Sequence, residues 1–137
     1  MIKVAFSPKG GALALLLSTI KRAKKTIDAA VYEFTLPEIQ EALEKKKIPV
    51  RILFDRGALT DRYSMYQNLL VEKRVDRKHQ LMHNKYLIAD GKIVLTGSFN
   101  WTKHAEHSNA ENLIKVHSKA IALAFTNNFE AHWEHSK

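Results

Sequence analysis

The chain has 137 residues, a length typical of one domain. It carries 22 Lys and Arg against 14 Asp and Glu, which gives a formal net charge of +8, and it has no cysteine. The absence of cysteine excludes a disulfide framework, a thiolate zinc site and a cysteine nucleophile. The longest apolar run, residues 12–17, is far too short to cross a membrane. The excess positive charge favours an anionic partner such as nucleic acid or a phospholipid surface, with solubility alone as the alternative.

Predicted strands and helices alternate in the first half of the chain. Residues 2–6 alternate in polarity like a strand, and residues 26–34 and 50–54 predict two more strands. The first helix is indicated by four apolar residues on one helical face, Leu13, Leu16, Leu17 and Ile20. Thr35 and Glu38 form a capping box for a second helix with Pro37 in its first turn. This order is typical of an α/β sheet with crossover helices.

The second half begins with a predicted helix over residues 61–71, whose inner stripe would be Tyr63, Tyr66 and Leu70. Residues 72–80 are polar and mostly basic, which indicates a loop or an edge strand. Residues 81–89 and 93–96 predict two strands joined by a hairpin at Asp90-Gly91. Residues 111–117 predict one more strand. A buried stripe then predicts a C-terminal helix, with Ile121, Phe125, Phe129 and Trp133 at intervals of four.

The residues that carry chemistry follow the pattern H-x-K-x4-D-x6-G-S-x-N, from His83 to Asn100. Residues two apart on a strand point to the same side, so His83 and Lys85 project together, as do Ser98 and Asn100. The hairpin folds the two pairs towards each other. An imidazole, an ammonium, a hydroxyl and an amide can then surround a phosphodiester and stabilise the charge that develops on its oxygens.

This pattern resembles the signature of the phospholipase D superfamily. Residues 6–8, 30–35 and 100–102 and the closing helix are similar to the small bacterial nucleases of that superfamily, and the likeness is weakest over residues 57–80. The resemblance implies a reaction in which one histidine attacks phosphorus to form a phosphohistidine. A second histidine acts as acid and then as base, and neither a metal nor another cofactor is needed.

Together, the elements and the resemblance predict a single phospholipase D-like nuclease domain over residues 1–137. Its expected architecture is α/β, with a mixed, mostly parallel sheet flanked by helices on both faces.

We assign expected roles to three further residues, two within the motif and one after it. A nucleophilic imidazole needs an orienting partner, and Glu111 stands where the family has its histidine-orienting acid, although it also fits a surface position at a strand edge. Asp90 and Gly97 belong to the motif, but we expect them to be structural, because a turn aspartate usually binds nearby backbone.

The motif occurs once, whereas the implied scheme needs two histidines. None of the other six histidines lies in an H-x-K context: His79, His104, His107, His117, His132 and His135. Small single-motif relatives work as homodimers, so we expect a symmetric dimer in which His83 faces its own copy across a composite site.

Two histidine pairs have a spacing of three residues, His104 with His107 and His132 with His135. On helices each pair could chelate a divalent metal. The spacing is more typical of exposed polar residues near helix ends, and we assign no metal ligand.

The leading functional hypothesis is a metal-independent endonuclease that cleaves DNA, with RNA as a further candidate, and shows little sequence preference. The expected nucleic-acid contacts are Trp101, Lys73, Arg74, Arg77 and Lys78. The alternatives are a phospholipid headgroup or cardiolipin hydrolase of the same superfamily and an inactive nucleic-acid-binding module. We expect no stable membrane insertion. The sequence leaves the location open: we expect cytoplasmic as the sequence is written, or periplasmic or secreted if a leader has been removed.

Overall fold

The computed structural model describes all 137 residues and contains one seven-stranded sheet with four helices. The strands are β1 (Ile2–Ser7), β2 (Ile27–Val31), β3 (Val50–Asp55), β4 (Glu72–Asp76), β5 (Lys85–Ala89), β6 (Ile93–Gly97) and β7 (Glu111–His117). The helices are α1 (Ala12–Arg22), α2 (Pro37–Glu44), α3 (Lys103–His107) and α4 (Lys119–His135). Across the sheet the strands follow the order β1-β7-β6-β5-β2-β3-β4.

The sheet is mixed, as predicted, but the expectation that it is mostly parallel is wrong. Only the pairs β2–β3 and β3–β4 are parallel, and the other four neighbouring pairs are antiparallel. The cause is the meander β5-β6-β7, which lies between β1 and β2. Its first connection is the predicted turn at Asp90 and Gly91, which both have positive φ values, 58° and 64°. So tight a connection requires antiparallel strands.

Helices cover both faces of the sheet, as predicted. Helices α1 and α2 bury Leu16, Ile20 and Leu43 on one face, and α4 buries Phe129 and Trp133 on the other. The α4 stripe differs from prediction at its start: Ile121 is 41% exposed, because the neighbouring Ala122 faces the sheet instead. No helix combines the length and the apolar character needed to cross a membrane.

The predicted helix over residues 61–71 is wrong. The segment consists of turns and one short 3₁₀ helix, Met65–Gln67. Its buried core residue is Leu69, and Met65, Tyr66 and Val71 pack partly against the core. Tyr63 and Leu70 are 64% and 84% exposed. Two side chains accept backbone N–H groups that a helix would use: Asp61 accepts from Tyr63, and Ser64 accepts from Tyr66. Local bonds of this kind compete with helix formation.

The capping box predicted for α2 is also absent. The residue that caps the helix is Leu36, and no side chain bonds to the first turn. The carbonyl of Trp101 instead accepts the N–H groups of Thr35 and Leu36, at 2.9 and 3.1 Å. The start of α2 is therefore held by a distant backbone segment, which local sequence does not reveal.

Arg51 ties α4 to the sheet. Its guanidinium donates to both carboxylate oxygens of Asp28, at 2.8 and 3.0 Å, and also contacts Glu130 of α4. It lies 5.0 and 5.2 Å from the ring centroids of Phe129 and Trp133. The bonds to Asp28 raise the pKa of Arg51 further above its ordinary value, although burial acts in the opposite direction. Arg51 therefore serves the fold and is occupied by protein groups.

We expect Arg51→Ala to lower the free energy of unfolding by about 2–4 kcal/mol, because it leaves the largely buried Asp28 carboxylate without its partner. Urea unfolding measures the loss. The matched control is Lys45→Ala, which breaks an ion pair whose side chains are 73% and 68% exposed. That change should cost less than about 0.5 kcal/mol. Equal losses in the two variants would contradict the role given to Arg51.

Candidate active site

The motif residues other than Asp90 gather at one end of the strands, along a single side of the sheet. Strand register places Lys85, at the start of β5, beside Val31, at the end of β2. At the same edge β6 ends and β7 begins, so the segment after Gly97 lies next to Glu111. Three chain segments that are far apart in sequence therefore deliver their polar side chains to one place.

His83 and Lys85 are in direct contact. The strand begins at Lys85, later than the predicted residue 81, so His83 lies in the segment before it and is exposed. The Lys85 Nζ lies 2.9 Å from Nδ1 of His83 and 3.5 Å from Nε2. The contact therefore holds the imidazole of His83 against the Lys85 side chain at the exposed end of the strand.

Buried anchors hold the segment that presents His83. Met82 is 2% exposed, and its backbone N–H donates to the carboxylate of Asp55 at 2.7 Å. Asp55 ends β3 at the same edge of the sheet. His83 is thus accessible to solvent while the residue before it is fixed to the core.

Tyr32 and Glu33 belong to the site, and the sequence reasoning missed them as functional residues. The ring of Tyr32 lies 4.4 Å from that of His83, and Lys85 Nζ is 5.6 Å from the Tyr32 ring centroid. Both residues directly follow the buried strand β2. Polar side chains just after a buried strand are the signal that could have identified them.

Lys85 is the residue whose charge is most affected by this environment. Burial lowers its pKa, and the nearby carboxylates of Glu111 and Glu33 oppose that effect without cancelling it. The pKa of Lys85 is therefore below the ordinary value for lysine. The site combines a partly desolvated lysine with two carboxylates that favour its protonated form.

Ser98 and Asn100 are fixed by neighbouring strands. Ser98 Oγ accepts the Asn112 N–H at 3.1 Å. The amide of Asn100 bonds to Glu33 in both directions: Oδ1 accepts the Glu33 N–H at 3.3 Å, and Nδ2 donates to the Glu33 carboxylate at 3.4 Å. Gly97 lets the end of β6 approach β7 closely, because a Cβ there would collide with the carbonyl oxygen of Asn112.

Glu111 does not orient His83 within the single chain. Its carboxylate accepts from Asn109 Nδ2 at 3.1 Å, and no hydrogen bond joins it to the imidazole. The negative charge of Glu111 instead acts on Lys85, whose pKa it raises.

Asp90 lies at the opposite edge of the sheet, away from the other motif residues. Its carboxylate accepts the backbone N–H groups of Lys24, Lys25 and Thr26, at 2.6 to 3.2 Å. Burial would raise the pKa of Asp90, but these N–H donors outweigh it and hold the pKa below its usual range. Asp90 thereby joins the end of α1 to the β5–β6 turn.

The structure corrects three of the expected nucleic-acid contacts. Trp101 is only 2% exposed and packs edge-to-face on Phe34, so it cannot stack on a base. The Lys73 ammonium donates to the carbonyls of Tyr66 and Leu69. Arg74 donates to the Trp133 carbonyl at 2.8 Å and stacks on its ring. These cations are used inside the molecule, whereas Arg77 and Lys78 are exposed.

An open groove of about 660 Å³ borders the site at Glu33 and Asn100. Its wall includes two cations, Arg62 and Lys103, and two carboxylates, Glu33 and Asp61. A chain-like anion that reaches His83 would have room to extend along it.

Comparisons with known proteins agree on one family. A family model described as cardiolipin synthase, PLD-like domain, matches residues 16–133. A phospholipase D of Rickettsia felis is 31% identical over 134 residues, which cover 93% of this chain and 67% of that protein. A mitochondrial cardiolipin hydrolase of Xenopus tropicalis is 31% identical over 129 residues. That match covers 90% of this chain but only 61% of the hydrolase.

A solved structure agrees over nearly its full length. Nuc from Salmonella typhimurium, described as a phospholipase D family member, superposes with a TM-score of 0.93 at 34% sequence identity. The alignment covers 100% of this chain and 96% of Nuc. The sheet and its helices are therefore shared in full.

We expect the pKa of Lys85, followed by NMR of ¹³C-labelled lysine, to lie below 10.5, the ordinary value. Glu33→Gln should lower it further, because the substitution removes a negative charge that stabilises the protonated amine. The control is Glu41→Gln, whose carboxylate pairs with Lys45 on α2 and should leave the Lys85 titration unchanged. A rise in the Lys85 pKa on Glu33→Gln would contradict this electrostatic picture.

Proposed function

The chain belongs to the phospholipase D superfamily and is a phosphodiesterase, and on that premise we propose that it is an endonuclease that cleaves DNA with little sequence preference. The observation that carries the proposal is the exposed imidazole of His83, held against the Lys85 side chain beside an open groove. The net charge of +8 and the full-length likeness to Nuc support it. RNA offers the same phosphodiester and is a second polymer to test.

The proposed reaction adds one water across a P–O bond. The ring nitrogen of His83 attacks phosphorus and the P–O bond to the leaving nucleotide breaks. His83 of a second copy, which this step requires in its protonated form, gives that oxygen a proton. The second histidine then removes a proton from water, whose oxygen attacks phosphorus. The P–N bond breaks and its electron pair returns to the ring. The scheme consumes no cofactor and requires no metal at phosphorus.

The remaining residues of the site stabilise charge in this scheme. A bound phosphate offers Lys85 anionic oxygens, which hold an ammonium more strongly than a neutral ring nitrogen does. Lys85 therefore moves from His83 to the phosphate and frees the ring to react. The Ser98 hydroxyl and the Asn100 amide provide further donors for the phosphate oxygens. Once Lys85 has moved, the carboxylate of Glu111 can orient the imidazole.

A homodimer supplies the second histidine in this proposal. The outer face of β1 exposes three apolar side chains, Ile2, Val4 and Phe6, at 63%, 56% and 56%. They lie beside Ile114 and Val116 of β7, on a part of the sheet that α4 leaves uncovered. An apolar stripe on an edge strand favours association with another chain. The stripe ends at Phe6, whose register partner Asn112 contacts Ser98 at the site edge.

Hydrolysis of a phospholipid headgroup is the second candidate function. It is favoured by the named relatives, a phospholipase D and a cardiolipin hydrolase, each about 31% identical to this chain. The net charge of +8 favours the nucleic acid as first candidate, because a polyanion gains from the charge of the whole chain.

Purified protein should nick supercoiled plasmid, and His83→Ala should lose at least about 10³-fold in rate because it removes the nucleophile. Binding of DNA should persist in this variant, since the lysines and arginines that give the chain its net charge of +8 remain. Single-stranded DNA, RNA and vesicles of cardiolipin and phosphatidylcholine complete the assay. The control is His117→Ala, because His117 is exposed at the far end of β7. Hydrolysis of vesicles with plasmid left intact would replace the nuclease by the lipid hydrolase.

Sedimentation should show a dimer that Val4→Lys converts to a monomer, because the substitution places a charge in the apolar stripe. Activity should fall with it. The control Leu70→Lys alters an isolated side chain that is 84% exposed and should change neither property.

Mixed dimers test the shared site directly. Equal amounts of wild-type and His83→Ala chains are allowed to exchange subunits, and the activity is compared with that of wild-type protein at the same total concentration. A composite site leaves about a quarter of that activity, since only dimers with two copies of His83 react. Independent sites would leave about half. An active wild-type monomer would contradict the dimer proposal.

A further inference from the structure

Three imidazoles and one carboxylate meet where α4 ends against β4. Asp76 is the last residue of β4 and is fully buried, His79 follows in the loop, and His132 and His135 lie one turn apart on α4. Their potential ligand atoms all lie within 4.8 Å of one another. His79 Nδ1 and His132 Nδ1 are 2.8 and 3.1 Å from Asp76 Oδ2. His135 Nε2 is 3.2 Å from Asp76 Oδ1.

Hydrogen bonding leaves one group of this cluster unsatisfied. The Asp76 Oδ1 already accepts the backbone N–H groups of Lys78 and His79, at 2.9 and 3.2 Å. Nε2 of His135 is buried and has no hydrogen-bond partner, despite its short distance from that oxygen. Buried polar atoms are rarely left without a partner. A cation that accepted the lone pair of this nitrogen would satisfy it.

The separations suit a tetrahedral metal site. With metal–ligand bonds of about 2.0–2.1 Å, neighbouring ligand atoms lie about 3.3–3.4 Å apart. Nδ1 of His79 and Nδ1 of His132 lie 2.8 and 3.1 Å from Asp76 Oδ2, already close to that value, and Nε2 of His135 lies 3.2 Å from the other oxygen of the same carboxylate. The widest separation, 4.8 Å, must close by about 1.5 Å. His79 has the freedom to do so, because its side chain is 43% exposed.

We propose that Asp76, His79, His132 and His135 bind one Zn²⁺ ion. Imidazole nitrogens with a single carboxylate form a typical zinc donor set, and the absence of thiolates disfavours softer ions such as Cu⁺. All four coordination positions are filled by the protein, so no position remains for a reacting water. The site is therefore structural.

The zinc site lies apart from the reacting groups and supports them. Strands β4 and β5 are separated by β2 and β3, so three strand spacings place the site about 14 Å from the start of β5. His79 is four residues before His83, and the loop between them is also held by the bond from Arg56 to the Gln80 carbonyl. The ion thus joins the end of α4 to the base of the segment that presents His83.

The last residues of the chain prearrange the site. Lys137 and Val75 exchange backbone hydrogen bonds at 3.2 Å, so the chain after α4 pairs with β4 next to Asp76. Ser136 Oγ bonds to the His132 carbonyl at 2.6 Å. The two histidines of α4 therefore reach Asp76 from a fixed direction, which lowers the entropy lost when they bind an ion.

Zinc content and thermal unfolding test the site without any activity assay. Untagged protein is stripped with a chelator, incubated with ZnCl₂ and desalted. We expect about one zinc per chain by mass spectrometry of the metal. The melting temperature should rise by about 5–10 °C at free zinc a hundredfold above its Kd. Co²⁺ in place of zinc should give the intense visible absorption of a tetrahedral site.

Variants locate the ion. His79→Asn, at an exposed position that should tolerate it, should weaken zinc binding by at least about a hundredfold, and H79N/H135N should abolish it. The matched control is H104N/H107N, which removes the histidine pair of the same spacing on α3 and should still bind one zinc. Wild-type protein without stoichiometric zinc or a thermal shift would overturn the proposal, as would undiminished binding in H79N.

The zinc proposal does not rest on the nuclease proposal, and the two can fail separately. Stripped protein should still nick DNA below its reduced melting temperature if the zinc is structural. If the protein binds zinc but does not cleave DNA, only the nuclease proposal is overturned. A rate that depends on added zinc while the protein remains folded would overturn the structural role.

Discussion

The antiparallel pairing of β2 with β5 is the constraint on which the candidate site depends. It places Val31 beside Lys85, so the residues after β2 and the residues before β5 emerge at the same edge. Tyr32 and Glu33 come from one strand and His83 and Lys85 from the other, and their contacts follow from this register. At the far edge Asp90 secures the same pairing by holding residues 24–26, just before β2 begins. A residue about 15 Å along the strand thereby supports a site that it never touches.

Much of this arrangement could be predicted from the sequence, because its signals are local. Polarity patterns located most strands and helices, and the motif spacing identified His83, Lys85, Ser98 and Asn100 before any fold was known. What could not be predicted depends on pairings between distant segments. The meander inserts between β1 and β2, Trp101 becomes core by pairing with the segment at Phe34, and Lys73 and Arg74 are bound by carbonyls.

The same limitation explains the histidine cluster. A spacing of three residues on α4 is equally consistent with a solvated helix end. Its meaning changes only when Asp76 and His79, more than fifty residues earlier in the chain, close against it. No periodicity in the sequence encodes that approach. It follows from the edge position of β4 and from the direction in which α4 crosses the sheet.

The large sequence separation between β1 and its partner strand also constrains how the chain folds. Its sheet partner is β7, and Ile2 pairs with Val116 across most of the chain. Of the seven strands β1 is synthesised first, and about 110 residues must follow before its neighbour exists, so its backbone N–H and C=O groups lack their strand partner in the meantime. Contacts between residues so distant in sequence form slowly. The strand of the sheet that is made first is thus among the last to be paired, and until then its unpaired backbone is open to the strands of other molecules.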